Sequence, residues 1–161
     1  MYNEGPYTDF FQGDVIRINL NSVEFQDHAP NPPRNTLFKQ VNVKVNDLFA
    51  VILSHSCDVA LENKDKRTRF VISPLHKVFP QLVKQCNGDL LKCNEDVTEG
   101  VPINYFIYQK HSKINDIDCC IDLTNCHSFK ICELNIDSKV LELTDEMREN
   151  LQKRLFISFL R

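Results

Sequence analysis

The stretch Leu48-Phe49-Ala50-Val51-Ile52-Leu53-Ser54-His55-Ser56-Cys57-Asp58 decides how this chain is read. Six apolar residues run without interruption into five polar or reactive ones. That pattern predicts a central strand buried on both faces and ending abruptly. Strand ends fix the backbone while letting side chains emerge, so they suit functional groups. His55, Cys57 and Asp58 are therefore the candidate catalytic residues, with His55 favouring a Cys57 thiolate and Asp58 orienting the imidazole. His55 and Cys57 could instead bind a metal, zinc first among them, with His76 or a distant cysteine. In a third reading, Ser54, Ser56 and Asp58 bond the backbone of the turn and Cys57 packs inside.

Toward the N-terminus, Phe38 to Val45 places Val41, Val43 and Val45 on one face, a second strand. Residues 27–35 hold three prolines and predict an exposed loop. Gly13-Asp14 opens another strand, Val15 to Leu20, whose apolar residues alternate. Toward the C-terminus, Lys64, Lys66, Arg67 and Arg69 form the one dense positive cluster, either nucleic-acid contacts or a solvated loop. Arg69 to Leu75 reads as a strand ended by Pro74, and Val78 to Lys92 as helical but broken near Gly88. Segments 101–108, 119–123 and 129–134 read as further strands. Last comes a helix at roughly 145–160. Thr144 should cap it, and Met147, Leu151, Leu155 and Phe159 form its apolar stripe. The expected architecture is one domain over 1–161 in the mainly β (α+β) class. A small antiparallel barrel over roughly 11–135 carries the C-terminal helix packed on it.

A formal net charge of −3 argues against a surface built wholly for nucleic acid, which needs concentrated Lys and Arg. No apolar run approaches the ~20 residues of a membrane span, and the first residues lack a signal-peptide pattern, so a cytoplasmic location is expected. In that reducing setting the seven cysteines, an odd number, should be thiols and mostly buried apolar fillers. Cys86 and Cys93 read as incidental neighbours. Cys119, Cys120, Cys126, His127 and Cys132 are dense enough to consider a structural zinc. Adjacent cysteines on a strand face opposite ways, however, which limits how many can join one site.

Three segments carry a resemblance: the Gly-Asp-opened strand at 13–20, the apolar strand ending in Leu53-Ser54, and Val71-Ile72-Ser73-Pro74-Leu75. Together they resemble the MazF/PemK toxins, SH3-like barrels that dimerise and cleave RNA. The family's catalytic arginine stands in an Arg-Pro pair, and the matching positions here are Leu48 and Phe49. Its threonine falls at His76. The resemblance thus implies the barrel and a homodimer but not the ribonuclease residues. A second likeness, to uncharacterised prokaryotic and phage-associated proteins with a Leu-Ser-x-x-Cys-Asp motif, rests on Leu53, Ser54, Cys57 and Asp58. The expected function is that of a toxin, phage or defence protein acting through a protein or nucleic-acid partner. The alternative is an enzyme using Cys57, His55 and Asp58, by thiol or metal chemistry, on RNA.

Overall fold

The computed structural model describes residues 1–20, 23–25, 39–41, 45–60, 69–95, 104–130 and 135–159. Its strands are β1 (Tyr2–Asn3), β2 (Val15–Leu20), β3 (Val23–Phe25), β4 (Lys39–Val41), β5 (Val45–Ile52), β6 (Arg69–Lys77), β7 (Tyr105–Tyr108), β8 (Cys119–Asp122), β9 (His127–Lys130) and β10 (Lys139–Leu143). Its helices are α1 (Ser56–Val59), α2 (Pro80–Gln85), α3 (Leu90–Glu95) and α4 (Asp145–Phe159). Contacts divide the chain into two compact units, Met1–Arg17 with Phe49–Arg161, and Ile18–Leu48. The smaller unit contains the antiparallel ribbon of β3 and β4, with Glu24 opposite Gln40. The proline-rich stretch 27–35 and the basic residues Lys64, Lys66 and Arg67 lie outside the described residues.

The mainly β class is what the fold shows. An antiparallel sheet of eight strands runs β1-β10-β2-β5-β6-β8-β7, with β9 also on β6, and α4 follows it in the chain. The sheet is not closed into a barrel by backbone pairing, because β1 and β7 share no ladder among the described residues. Its two ends nevertheless meet: the Tyr2 hydroxyl donates to Gln109 O, just past β7, at 2.6 Å. A flat sheet would hold those ends some six strand spacings apart, so this one is strongly curved.

Pro74 does not end its strand as expected. β6 continues through it to Lys77, pairing with β5 on one edge. Its other edge takes β9 (Ile72 opposite His127) and then β8 (Leu75 opposite Ile121) end to end. Strand parity turns the Pro74 nitrogen toward that second edge, opposite the gap between Asp122 and His127. Proline has no N–H to give there, so the ladder breaks and the partner chain makes a turn. The Ser73 hydroxyl donates to Asp122 O at 3.0 Å, and the Asp122 carboxylate accepts from the Thr124 N–H and hydroxyl.

The core forms where α4 lies over the sheet. Met147, Leu151 and Leu155 are buried with Val15, Val51, Phe106, Tyr108, Ile121, Leu141 and Leu143 in one cluster. The expected stripe is thus present up to Leu155, while the Phe159 side chain is outside the description. Gly13 makes the close approach possible. Its φ is +90°, and an added Cβ would lie 2.6 Å from Leu143 Cδ1 and 3.1 Å from Leu151 Cδ2. Arg154, toward the end of α4, is fully buried.

The break predicted near Gly88 is real, and α2 and α3 fold back around Asn87 (φ 52°) and Gly88 (φ 81°). That hairpin brings the Cα atoms of Cys86 and Cys93 to 5.5 Å, and the two form a disulfide. Reading them as incidental thiols was wrong, because a seven-residue separation hides the proximity that a tight turn creates. No helix among the described residues is long and apolar enough to cross a membrane.

Candidate functional site

Beyond Ile52 the chain leaves β5 and enters the short helix α1. Each hydroxyl of the turn is committed to a backbone donor. Ser54 Oγ accepts from the Val71 N–H at 2.7 Å, extending the β5–β6 ladder by one rung. Ser56 Oγ accepts from the Gln12 N–H at 3.1 Å. The Gln12 side chain in turn donates to Leu53 O. His55 precedes α1 as its cap, and its Nδ1 accepts from the Cys57 N–H at 3.3 Å. That bond leaves the ring proton on Nε2 in the neutral imidazole. His55 and Cys57 are exposed, Asp58 is half-buried, and Val59 anchors the turn in the core.

The serines therefore behave as the backbone-bonding reading requires, but Cys57 is not packed inside. The three residues of the catalytic reading share one turn. The metal reading is not brought together. Leu53 stands opposite Val71, and His76 lies five residues further along extended β6, roughly 16 Å away. Among the described residues no group of three or more His, Cys, Asp or Glu is placed to hold a metal ion. Cys119 and Cys120 face opposite sides of β8, one in the main core and the other in the cluster beneath α2 and α3. Cys126 donates to Leu123 O, and Cys132 lies outside the description. Burial pushes the Cys120 thiol up to about 12 and raises those of Cys119 and Cys126 as well. Of the basic cluster, Arg69 directs its guanidinium onto its own sheet, at Ser128 Oγ (2.8 Å) and Ser128 O (3.0 Å). At the toxin-like position, Phe49 lies under the Arg17 guanidinium at 5.4 Å.

A second polar centre, not picked out from the sequence, lies on the other side of Gln12. Lys139 Nζ meets Asp14 Oδ2 at 2.6 Å, Glu142 Oε2 at 2.5 Å and Asp9 O at 2.7 Å. It sits 4.9 Å from the ring centres of both Tyr7 and Phe11. Asp14 is fully buried. Its Oδ2 also accepts from the Phe11 N–H, while Oδ1 has no hydrogen-bond partner among the described residues. Burial raises the Asp14 pKa to about 7 against the opposing pull of Lys139. Burial works the same way on Glu142, but hydrogen bonds from Lys139 and Asn3 outweigh it and its pKa falls. Arg148 completes the knot, stacking on Phe11 and donating to Gln12 O, Leu143 O and Asp145. The one sequence signal for this centre was the Gly13-Asp14 turn.

The chain matches no protein-family model and no curated protein.

Proposed function

We propose that the chain is a MazF-like, SH3-type barrel protein of a prokaryotic toxin, phage or defence system. It acts in the cytoplasm through a protein or nucleic-acid partner rather than by cutting RNA. One observation carries the binding reading: Ser54 Oγ, Ser56 Oγ and His55 Nδ1 all face backbone N–H groups. A turn pinned in this way is a rigid platform that presents His55 and Cys57 at the surface. The barrel reading is supported by the curved eight-stranded sheet, the Tyr2–Gln109 seam and the helix over the core. The loss of ribonuclease residues is supported by Leu48 and Phe49, neither of which can stabilise developing phosphate charge.

The test is incubation of the purified chain with a mixed-sequence RNA in metal-free buffer. Intact RNA is the expected result, and cleavage abolished by His76→Ala would overturn it. The exposure of Cys57 two residues from His55 favours an enzyme as the second reading. An activated Cys57 would react with iodoacetamide well below pH ~8.5, the pKa of a free thiol. Labelling that follows an ordinary thiol profile, with no metal bound to the purified protein, leaves the binding platform.

A further inference from the structure

We propose that the Cys86–Cys93 disulfide is a redox-set clamp that decides whether Asn94 covers the outer edge of β7. The edge itself is unusual. β7 ends the sheet, and parity with β8 turns the backbone groups of Tyr105 and Ile107 outward. No strand fills those rungs among the described residues. Asn94, 1% exposed, takes the strand's place: its Nδ2 donates to Ile107 O at 2.7 Å, and the Ile107 N–H donates to its Oδ1 at 2.8 Å. Arg154 reaches from α4 to fill the neighbouring rung, donating to Tyr105 O at 3.0 Å, and also donates to Asn94 O at 3.4 Å. An outward sheet edge is a template for another strand, and two side chains close this one.

Asn94 directly follows Cys93, so the disulfide fixes where it sits. The helices on either side have six residues each, too short to hold their shape without tertiary support. The sulfurs pack on Leu82, Ile107 and Cys120 in a small separate cluster. The turn joining the helices is exposed, and the place of a Gly88 side chain is open space. Cys120 is the nearby spare thiol, but burial keeps it protonated, so the disulfide does not exchange internally and answers to an outside dithiol. One thiolate of that dithiol attacks a sulfur of the pair and releases the other. Its second thiolate then attacks the reductant's own sulfur in that mixed disulfide and expels the remaining cysteine as a thiolate. Cys86 and Cys93 each take up a proton, and the reductant leaves as a cyclic disulfide. The two thiols need more room than the bond they replace. A close-packed cluster yields that room by shifting α3, and Asn94 moves with it.

The test is residue-resolved amide exchange on the full chain, first oxidised and then reduced with dithiothreitol. Exchange at Ile107 should rise about tenfold or more on reduction, while Ile52 and Ile72 in the centre of the sheet keep their protection. Cys93→Ser should give the reduced pattern in both buffers, and reoxidation of the natural chain should restore the slow rate. Equal protection of Ile107 in the two states would overturn the proposal. So would acceleration shared evenly by Ile52 and Ile72, which marks a plain structural staple. Seven free thiols under oxidising conditions would overturn it as well.

Discussion

Gln12 separates two polar regions built on opposite terms. Its N–H holds the turn through Ser56, and its carbonyl accepts from Arg148 of the charged knot. In the turn, hydroxyls and an imidazole satisfy the backbone while His55 and Cys57 stay exposed to solvent. In the knot, a lysine and an aspartate are buried together and one carboxylate oxygen has no partner among the described residues. Water shields the first region, so changes there should be mild. The second is out of reach of solvent and relies on its own pairing, so removing one member leaves a stranded charge.

The largest effect that comparison predicts is for Lys139→Met. Removing the cation should destabilise the fold by about 3–5 kcal/mol in denaturant melts, more at pH 8 than at pH 5. A loss as small as that of a surface lysine would show the knot to be solvated and break the contrast.

The pH dependence comes next. Asp14 has its folded pKa raised to about 7 from 3.8, so the folded state takes up the proton first. Its contribution to stability is therefore fully present below pH 3.8 and is lost as pH rises through 7. Between pH 4.5 and 7.5 the natural chain should lose roughly 2–4 kcal/mol relative to Asp14→Asn, which cannot titrate. Parallel stability curves for the two proteins would mean that Lys139 keeps Asp14 ionised throughout.

In the turn, Ser54→Ala and Ser56→Ala each remove the acceptor of one backbone N–H, and each should cost about 0.5–1.5 kcal/mol in thermal melts. Cys57→Ala should change stability by less than about 0.5 kcal/mol, as for a substitution at an exposed position. A Cys57→Ala loss larger than that of Ser56→Ala would reverse the ranking within the turn.

The two regions were also unequally legible. The turn could be found because Ala50 to Leu53 is an unbroken apolar run whose end is marked by the change to Ser54 and His55. The knot was hidden by its own chemistry. β10 reads Lys139-Val140-Leu141-Glu142-Leu143, and Lys139, Leu141 and Leu143 all face inward. A lysine in the first inward place erases the alternation that would have announced a strand. The burial of Arg154 on α4 is equally hidden, since its guanidinium depends on carbonyls of Asn94 and Tyr105 that lie far off in sequence. Pro74 looked like a strand end because its missing donor is visible in sequence, whereas the break it faces in the neighbouring chain is not. The disulfide escaped for lack of a distance, and β1 because two residues show no period.

The pairing of β1 with β10 also sets an order of events during synthesis. Asn3 bonds Leu143 across a separation of 140 residues, and Lys139 bonds Asp9 across 130. At translation rates of about 5–20 residues per second, the first strand waits roughly 7–30 seconds for its neighbour to leave the ribosome. Until then Asp14 is in water and carries an ordinary carboxylate charge, and Gly13 has no helix above it. Adding β10 between β1 and β2 is therefore a late, long-range step, with a large loop entropy to overcome. A sequence change that speeds the folding of β5 and β6 cannot hasten it, because the last partner has not yet been made.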